Sequence, residues 1–223
     1  MTTLAIDCSN YSGEITPAQA TELYSLGVRK AIVQLVNPDI MTHTQQIPVL
    51  QNAGINVEGY VYIWFSAGET WAADRVTWAG RELARYVGPP VTTLWLDCEQ
   101  SDHDTPPFDY VHAPTSPTIR ACVQAAKDLG FNPGIYTAAW WWIPGVSNSS
   151  EFSTLPLWVA NYDLDPDLDP VDFGGWTVPR MEQYQANVVL AGVPMLDLNS
   201  YIAETKPKSE QIRELLEKAI ALL

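Results

Sequence analysis

Residues 92–99 read TTLWLDCE. A β-branched and apolar run of this length is a strand signal. Side chains alternate along a strand, so Asp97 and Glu99 share one face while Leu96 and Cys98 point the other way, toward covering helices. Upstream, Leu4–Asp7, Lys30–Val36 and Val57–Phe65 read as three earlier strands. Helices are expected between them. The first has Thr16 as N-cap, Pro17 at the first helical position and Gly27 near its end. The others cover about Thr44–Ala53, Thr70–Tyr86 and, after the DxE strand, Pro117–Leu129.

Downstream the rhythm loosens. Gly134–Thr137, Pro156–Tyr162, Met181–Gln185 and Pro194–Asn199 read as strands, with no clear helix between the later ones. Trp140-Trp141-Trp142 is too aromatic for a solvent-facing helix. The pattern predicts an α/β fold, an irregular (β/α) TIM-like barrel of about eight strands with fewer helices in its second half. An open doubly wound sheet is the alternative, but no Gly-rich nucleotide loop follows the first strand. Residues 1–203 are assigned to the barrel and 204–223 to a C-terminal amphipathic helix or linker stub. There Ser209 caps a run with Ile212, Leu215, Leu216, Ala219, Ile220 and Leu223 on one face, which suits packing on the barrel or self-association through 209–223.

Composition narrows the function. The 223 residues carry 12 Lys+Arg against 26 Asp+Glu, a net charge of −14, which disfavours a nucleic-acid partner. No apolar run reaches the roughly 18 residues of a membrane span. The first residues lack a basic stretch followed by an apolar core, so no signal peptide is expected in the sequence as written. Cys8, Cys98 and Cys122 form neither a CxxC motif nor a disulfide framework, and His43, His103 and His112 lack HExxH spacing; no metal site and no cofactor are expected. The stretch Asp163–Asp172 (DLDPDLDPVD) lacks the Gly and Glu of an EF-hand and reads as a solvated acidic loop.

The acids carry the chemistry. Two carboxyls at the carboxyl end of a barrel strand stand where barrel enzymes keep their catalysts. Paired carboxyls suit glycoside hydrolysis, one protonated to donate to the leaving oxygen and one ionised. Asp7 ends the first strand and Asp197 lies in the last, each inside an apolar run where an unpaired carboxylate is costly. First and last strands of a closed barrel are neighbours, so Asp7 and Asp197 should converge beside Asp97 and Glu99.

These residues fall within a series that resembles the glycoside hydrolase family 25 muramidases: AIDCSNYSG at 5–13, GYVYIWF at 59–65, LWLDCEQ at 94–100, GIYT at 134–137, PLWVANY at 156–162, QYQ at 183–185 and VPMLDLNSY at 193–201. The run Tyr60-Val61-Tyr62-Ile63-Trp64 departs from the family's frequent Tyr-His at this place. The resemblance implies cleavage of the β-1,4 bond between N-acetylmuramic acid and N-acetylglucosamine. The partner would be peptidoglycan, met outside the cell at the bacterial wall by a secreted or phage-delivered protein. Carried over, Glu99 is the proton donor, and Asp97 stabilises the transition state or orients the acetamido group. Asp7 and Asp197 set the electrostatics of the pair. Tyr62, Tyr136, Trp140, Trp141, Tyr162 and Asn199 are the expected sugar contacts, since sugars stack their C–H faces on aromatic rings. Two other readings stay open: a non-catalytic glycan-binding or structural relative, and another barrel glycosidase, although no DxxDxDxE run is present.

Overall fold

The computed structural model of the chain describes residues 2–35, 45–86, 93–99 and 115–203. Its elements run β1 (Thr2–Cys8), α1 (Pro17–Ser25), β2 (Lys30–Gln34), α2 (Gln46–Asn52), β3 (Asn56–Tyr62), α3 (Glu69–Ala84) and β4 (Thr93–Asp97). They continue with α4 (Thr115–Asp128), β5 (Asn132–Thr137), α5 (Ala139–Gly145), β6 (Leu157–Ala160), β7 (Met181–Leu190) and β8 (Val193–Ile202). Local chemistry explains the helix starts. At α1, Thr16 and Gln19 exchange a capping box and Pro17 supplies a preset φ.

The eight strands close into one barrel in chain order. Neighbours from β1 to β7 are parallel, whereas β8 runs antiparallel to both β7 and β1. The eroded second half expected from sequence thus has a definite form. Leu190 pairs with Val193 across Ala191 and Gly192, whose φ angles are 53° and 71°. A two-residue turn with both φ positive is a hairpin turn. It reverses the chain at once and leaves no room for a crossover helix.

Alternation sorts the side chains as the strand rule demands. Ala5, Ile32, Tyr60, Trp95, Tyr136, Trp158, Met181 and Tyr201 fill the barrel interior. Ile6, Val33, Val61, Leu96, Cys98, Ile135 and Val159 face outward into the layer beneath the helices, so Cys8 and Cys98 turn away from the mouth. Trp95 fits inside because Gly134 is beside it; a Cβ there would stand 2.5 Å from the indole. At the amino end of the strands Lys30 and Glu58 form a buried ion pair at 2.6 Å, and Glu58 also accepts from Trp95 Nε1 at 2.7 Å. This end is plugged, which leaves the carboxyl end as the opening.

The tryptophan triplet does form a helix, α5, by turning Trp141 and Trp142 into the core while Trp140 stays exposed. The expected helix at 209–223, with any self-association through it, lies outside the described residues; the described barrel ends just past β8.

Candidate active site

Register brings the acids together. Asp7 on β1 stands opposite Asp197 on β8, and Asp97 is level with Tyr62 on β3 and Tyr136 on β5. Glu99 follows one step above Asp97. All four acids line one cleft, together with Tyr60, Tyr136, Trp158, Tyr162 and Gln183. Tyr62 is half-buried and gives its hydroxyl to the Glu99 carbonyl oxygen at 3.2 Å, fixing the backbone that carries the acid.

Hydrogen bonds tie the site into one network through Gln183, which the sequence reading did not single out. Its Nε2 donates to Asp7 at 2.9 Å and to Asp197 at 3.0 Å. Its Oε1 accepts the hydroxyls of Tyr136 at 2.7 Å and Tyr162 at 2.8 Å. One amide therefore spaces two carboxylates and two phenols. The signal was present in the sequence: Gln183 is a polar residue two positions from Met181 and so shares its face of the strand. Tyr60 could have been found in the same way, as the inward neighbour of Tyr62. Trp158 lies against Tyr136 with ring centroids 4.5 Å apart and forms part of the cleft floor.

Two expected sugar contacts are placed elsewhere. Asn199 is fully buried with both ends of its amide engaged: Nδ2 donates to Asp7 at 2.8 Å and Oδ1 accepts from Trp158 Nε1 at 2.7 Å. It supports the site from below and cannot meet a sugar. Trp141 is likewise buried, packed on Phe65. Trp140 is exposed, and neither it nor Tyr62 is among the residues lining the cleft, which Tyr136 and Tyr162 are.

Burial in the cleft pushes all four carboxyls upward, and for Asp7, Asp97 and Glu99 a neighbouring carboxyl adds to it. Burial raises Asp7 well above the usual carboxylate range, with Asp197 adding to it and the Asn199 and Gln183 bonds opposing. Burial, then Glu99, raises Asp97. One Asp97 oxygen, Oδ1, is buried with no hydrogen-bond partner. Burial raises Asp197 too, moderated by the Asn187 amide at 2.7 Å. Glu99 is pushed from an ordinary 4.5 up to about 7, by burial first and by Asp197 second. A carboxyl with that value holds its proton at neutrality and can still release it, which is what a general acid requires.

A second acidic group sits in the 163–172 loop, where Asp163, Asp169 and Glu182 offer oxygens within 4.8 Å of one another. The oxygens of Asp163 and Glu182 accept from the protein's own donors. Glu182 accepts from Asn161 and from the Asp169 amide, and Asp163 from the Asp165 amide and Asn161.

A family model described as Glycosyl hydrolases family 25 matches residues 6–193. The chain belongs to this family. Among family 25 relatives, "Probable GH family 25 lysozyme 3" of Dictyostelium discoideum is 29% identical over 156 residues, taking in 69% of this chain and 31% of that protein. "Counting factor 50" of the same organism is 29% identical over 163 residues, 70% of this chain and 51% of the relative. The matched stretch thus takes in about a third of the length of the first and about half of the second. The family 25 barrel also superposes on a bacterial lysozyme from Streptomyces coelicolor with a TM-score of 0.71 at 20% identity, covering 92% of this chain and 94% of the other.

Proposed function

We propose that this protein is an N-acetylmuramidase, hydrolysing the β-1,4 bond between N-acetylmuramic acid and N-acetylglucosamine in bacterial peptidoglycan outside the cell. The observation that carries this reading is Glu99, a carboxyl held near neutrality within a cleft that three further acids share. Membership of family 25 and likeness to proteins named lysozymes support the substrate class.

In this reading Glu99 donates its proton to the glycosidic oxygen as the bond to the anomeric carbon breaks. Positive charge then develops on the sugar ring, and Asp7, Asp97 and Asp197 stabilise it electrostatically. Asp97, which lines the cleft beside Glu99, is placed to accept from the acetamido N–H. Held there, the acetamido carbonyl oxygen can attack the anomeric carbon. Water then opens the ring so formed, and Glu99, now ionised, takes the proton of that water. Gln183 keeps Asp7 and Asp197 apart and aligned while the two tyrosines wall the sugar.

The test is clearing of purified peptidoglycan suspensions. Glu99→Gln keeps the shape and removes the proton, so activity should fall by about 10²- to 10⁴-fold. The wild-type rate should decline as pH rises through about 7, where Glu99 ionises. Mass spectrometry of the products should find muramic acid at the new reducing end. Equal clearing by wild type and variant would refute the assignment. Binding of strands without cleavage by the wild type would point instead to a glycan-binding relative.

A further inference from the structure

The third strand runs on past the cleft that the acids line. Tyr60 lines the cleft, Tyr62 reaches the Glu99 carbonyl, and Trp64 follows in the same alternating row with extended backbone, φ −86° and ψ 93°. Two extended residues advance the chain by about 7 Å, which brings Trp64 to the rim. There its indole stacks on that of Trp71, the third residue of α3, with centroids 5.0 Å apart and planes 11° from parallel. Side chains on a helix lean toward its amino end. Arg75, one turn further on, is lifted by that lean to the level of the rings, its guanidinium carbon 5.1 Å from the Trp71 centroid and 5.4 Å from that of Trp64. Trp71 remains 37% exposed, and Arg75 is half-buried.

The charge on Arg75 is held by ring faces. Its Nε is buried without a hydrogen-bond partner, and among the described residues no carboxylate forms a salt bridge with it. By contrast, Lys30, Arg85 and Arg120 each meet a glutamate. A guanidinium stacked on aromatic rings keeps its charge and its in-plane donors for another anion, and such donors match a carboxylate. The cleft offers an anion no cation, since its described lining residues are acids, aromatic rings and one amide. A substrate with a carboxylate must therefore carry that group outside the cleft. Of the two sugars in a wall strand, muramic acid is the one that bears a peptide stem, and the stem bears carboxylates.

We propose that Trp64, Trp71 and Arg75 form an accessory binding site at the rim of the cleft that holds a carboxylate of the peptide stem carried on muramic acid. The site deepens the muramidase reading and rests on it for its choice of ligand. The two indoles cover the apolar part of the stem while the guanidinium takes the charge. This gives the enzyme a preference for strands with charged stems over strands of the same sequence whose stem carboxylates have been amidated.

The experiment measures kcat/KM on those two kinds of strand and takes the ratio, charged over amidated, for wild type, Arg75→Gln, Arg75→Lys and Trp71→Ala. Thermal melts check that each variant is folded. The expected wild-type ratio is on the order of tenfold. It should collapse toward unity in R75Q, return in part in R75K, and shrink in W71A. A wild-type ratio of one, or a ratio in R75Q equal to that of wild type, overturns the proposal. Should the wild type cleave neither strand, the hydrolase reading fails and the rim site is decided separately by calorimetric binding of soluble muropeptides. There, weaker binding by R75Q of the charged muropeptide, with a smaller loss for the amidated one, supports the site; equal losses refute it.

Discussion

The burial that raises Glu99 to about 7 makes its ionised form costly to the fold. Its folded value near 7 lies above its ordinary 4.5. The folded state therefore binds the proton more tightly than the unfolded chain. This contribution to stability is fully present below about 4.5 and is lost as pH rises through about 7. Glu99→Gln removes the ionisation, so the variant should melt above wild type at pH 8 and level with it at pH 4. Calorimetric scans at the two pH values measure this, each kcal/mol moving Tm by about 2–4 °C in a chain of this length. Asp7, Asp97, Asp197 and Glu99 were legible in the sequence because acids inside apolar strands have few structural uses. Asn199 was misplaced for a directional reason. It shares its face with Asp197, and in a strand running parallel to the rest it would lie nearer the mouth; β8 runs the other way, so Asn199 lies one rung deeper, under Asp7. Gln183 escaped because an amide has no charge to betray it, although its four bonds connect more of the site than any acid does.

At the scale of the element, the strands and the first four helices follow from alternation, caps and breakers, which are local signals. The reversal of β8 was not legible in this way, since Ala191-Gly192 is a turn whose consequence depends on which strand the chain meets next. The interior of the barrel shows how closely elements constrain one another. Trp95 on β4 occupies the space that Gly134 on β5 leaves open, and a Cβ there would approach the ring to 2.5 Å. Gly134→Ala therefore forces either the indole or the strand to shift. Overpacking of this kind costs about 1–3 kcal/mol, which urea denaturation should register as a lower midpoint with an unchanged m-value. The Trp95 indole also anchors Glu58, so the displacement loosens the plug at the closed end of the barrel.

For the whole molecule the governing quantity is a net charge of −14. A wall strand with free stem carboxylates is also an anion, so encounter begins with repulsion that salt can screen. Raising ionic strength from about 0.01 M to about 0.15 M shortens the screening length from roughly 30 Å to roughly 8 Å. Clearing by the wild type should quicken over that range, and stopped-flow binding to Glu99→Gln should show the gain in the association rate. A rate that falls with salt throughout would mean that local attraction, such as that assigned to Arg75, outweighs the overall repulsion. Fold class was legible at this scale because strand and helix signals alternate over most of the chain. The seam between the first and last strands was expected from closure, whereas its antiparallel register, with Thr2 opposite Ile202, was not.

That seam has an architectural consequence. Thr2 pairs with Ile202, so the barrel's first and last residues emerge side by side on the side of the molecule facing away from the groove. The two strand ends leave the barrel at the pole opposite the acids, so a segment that departs from either one starts out behind the cleft rather than across it.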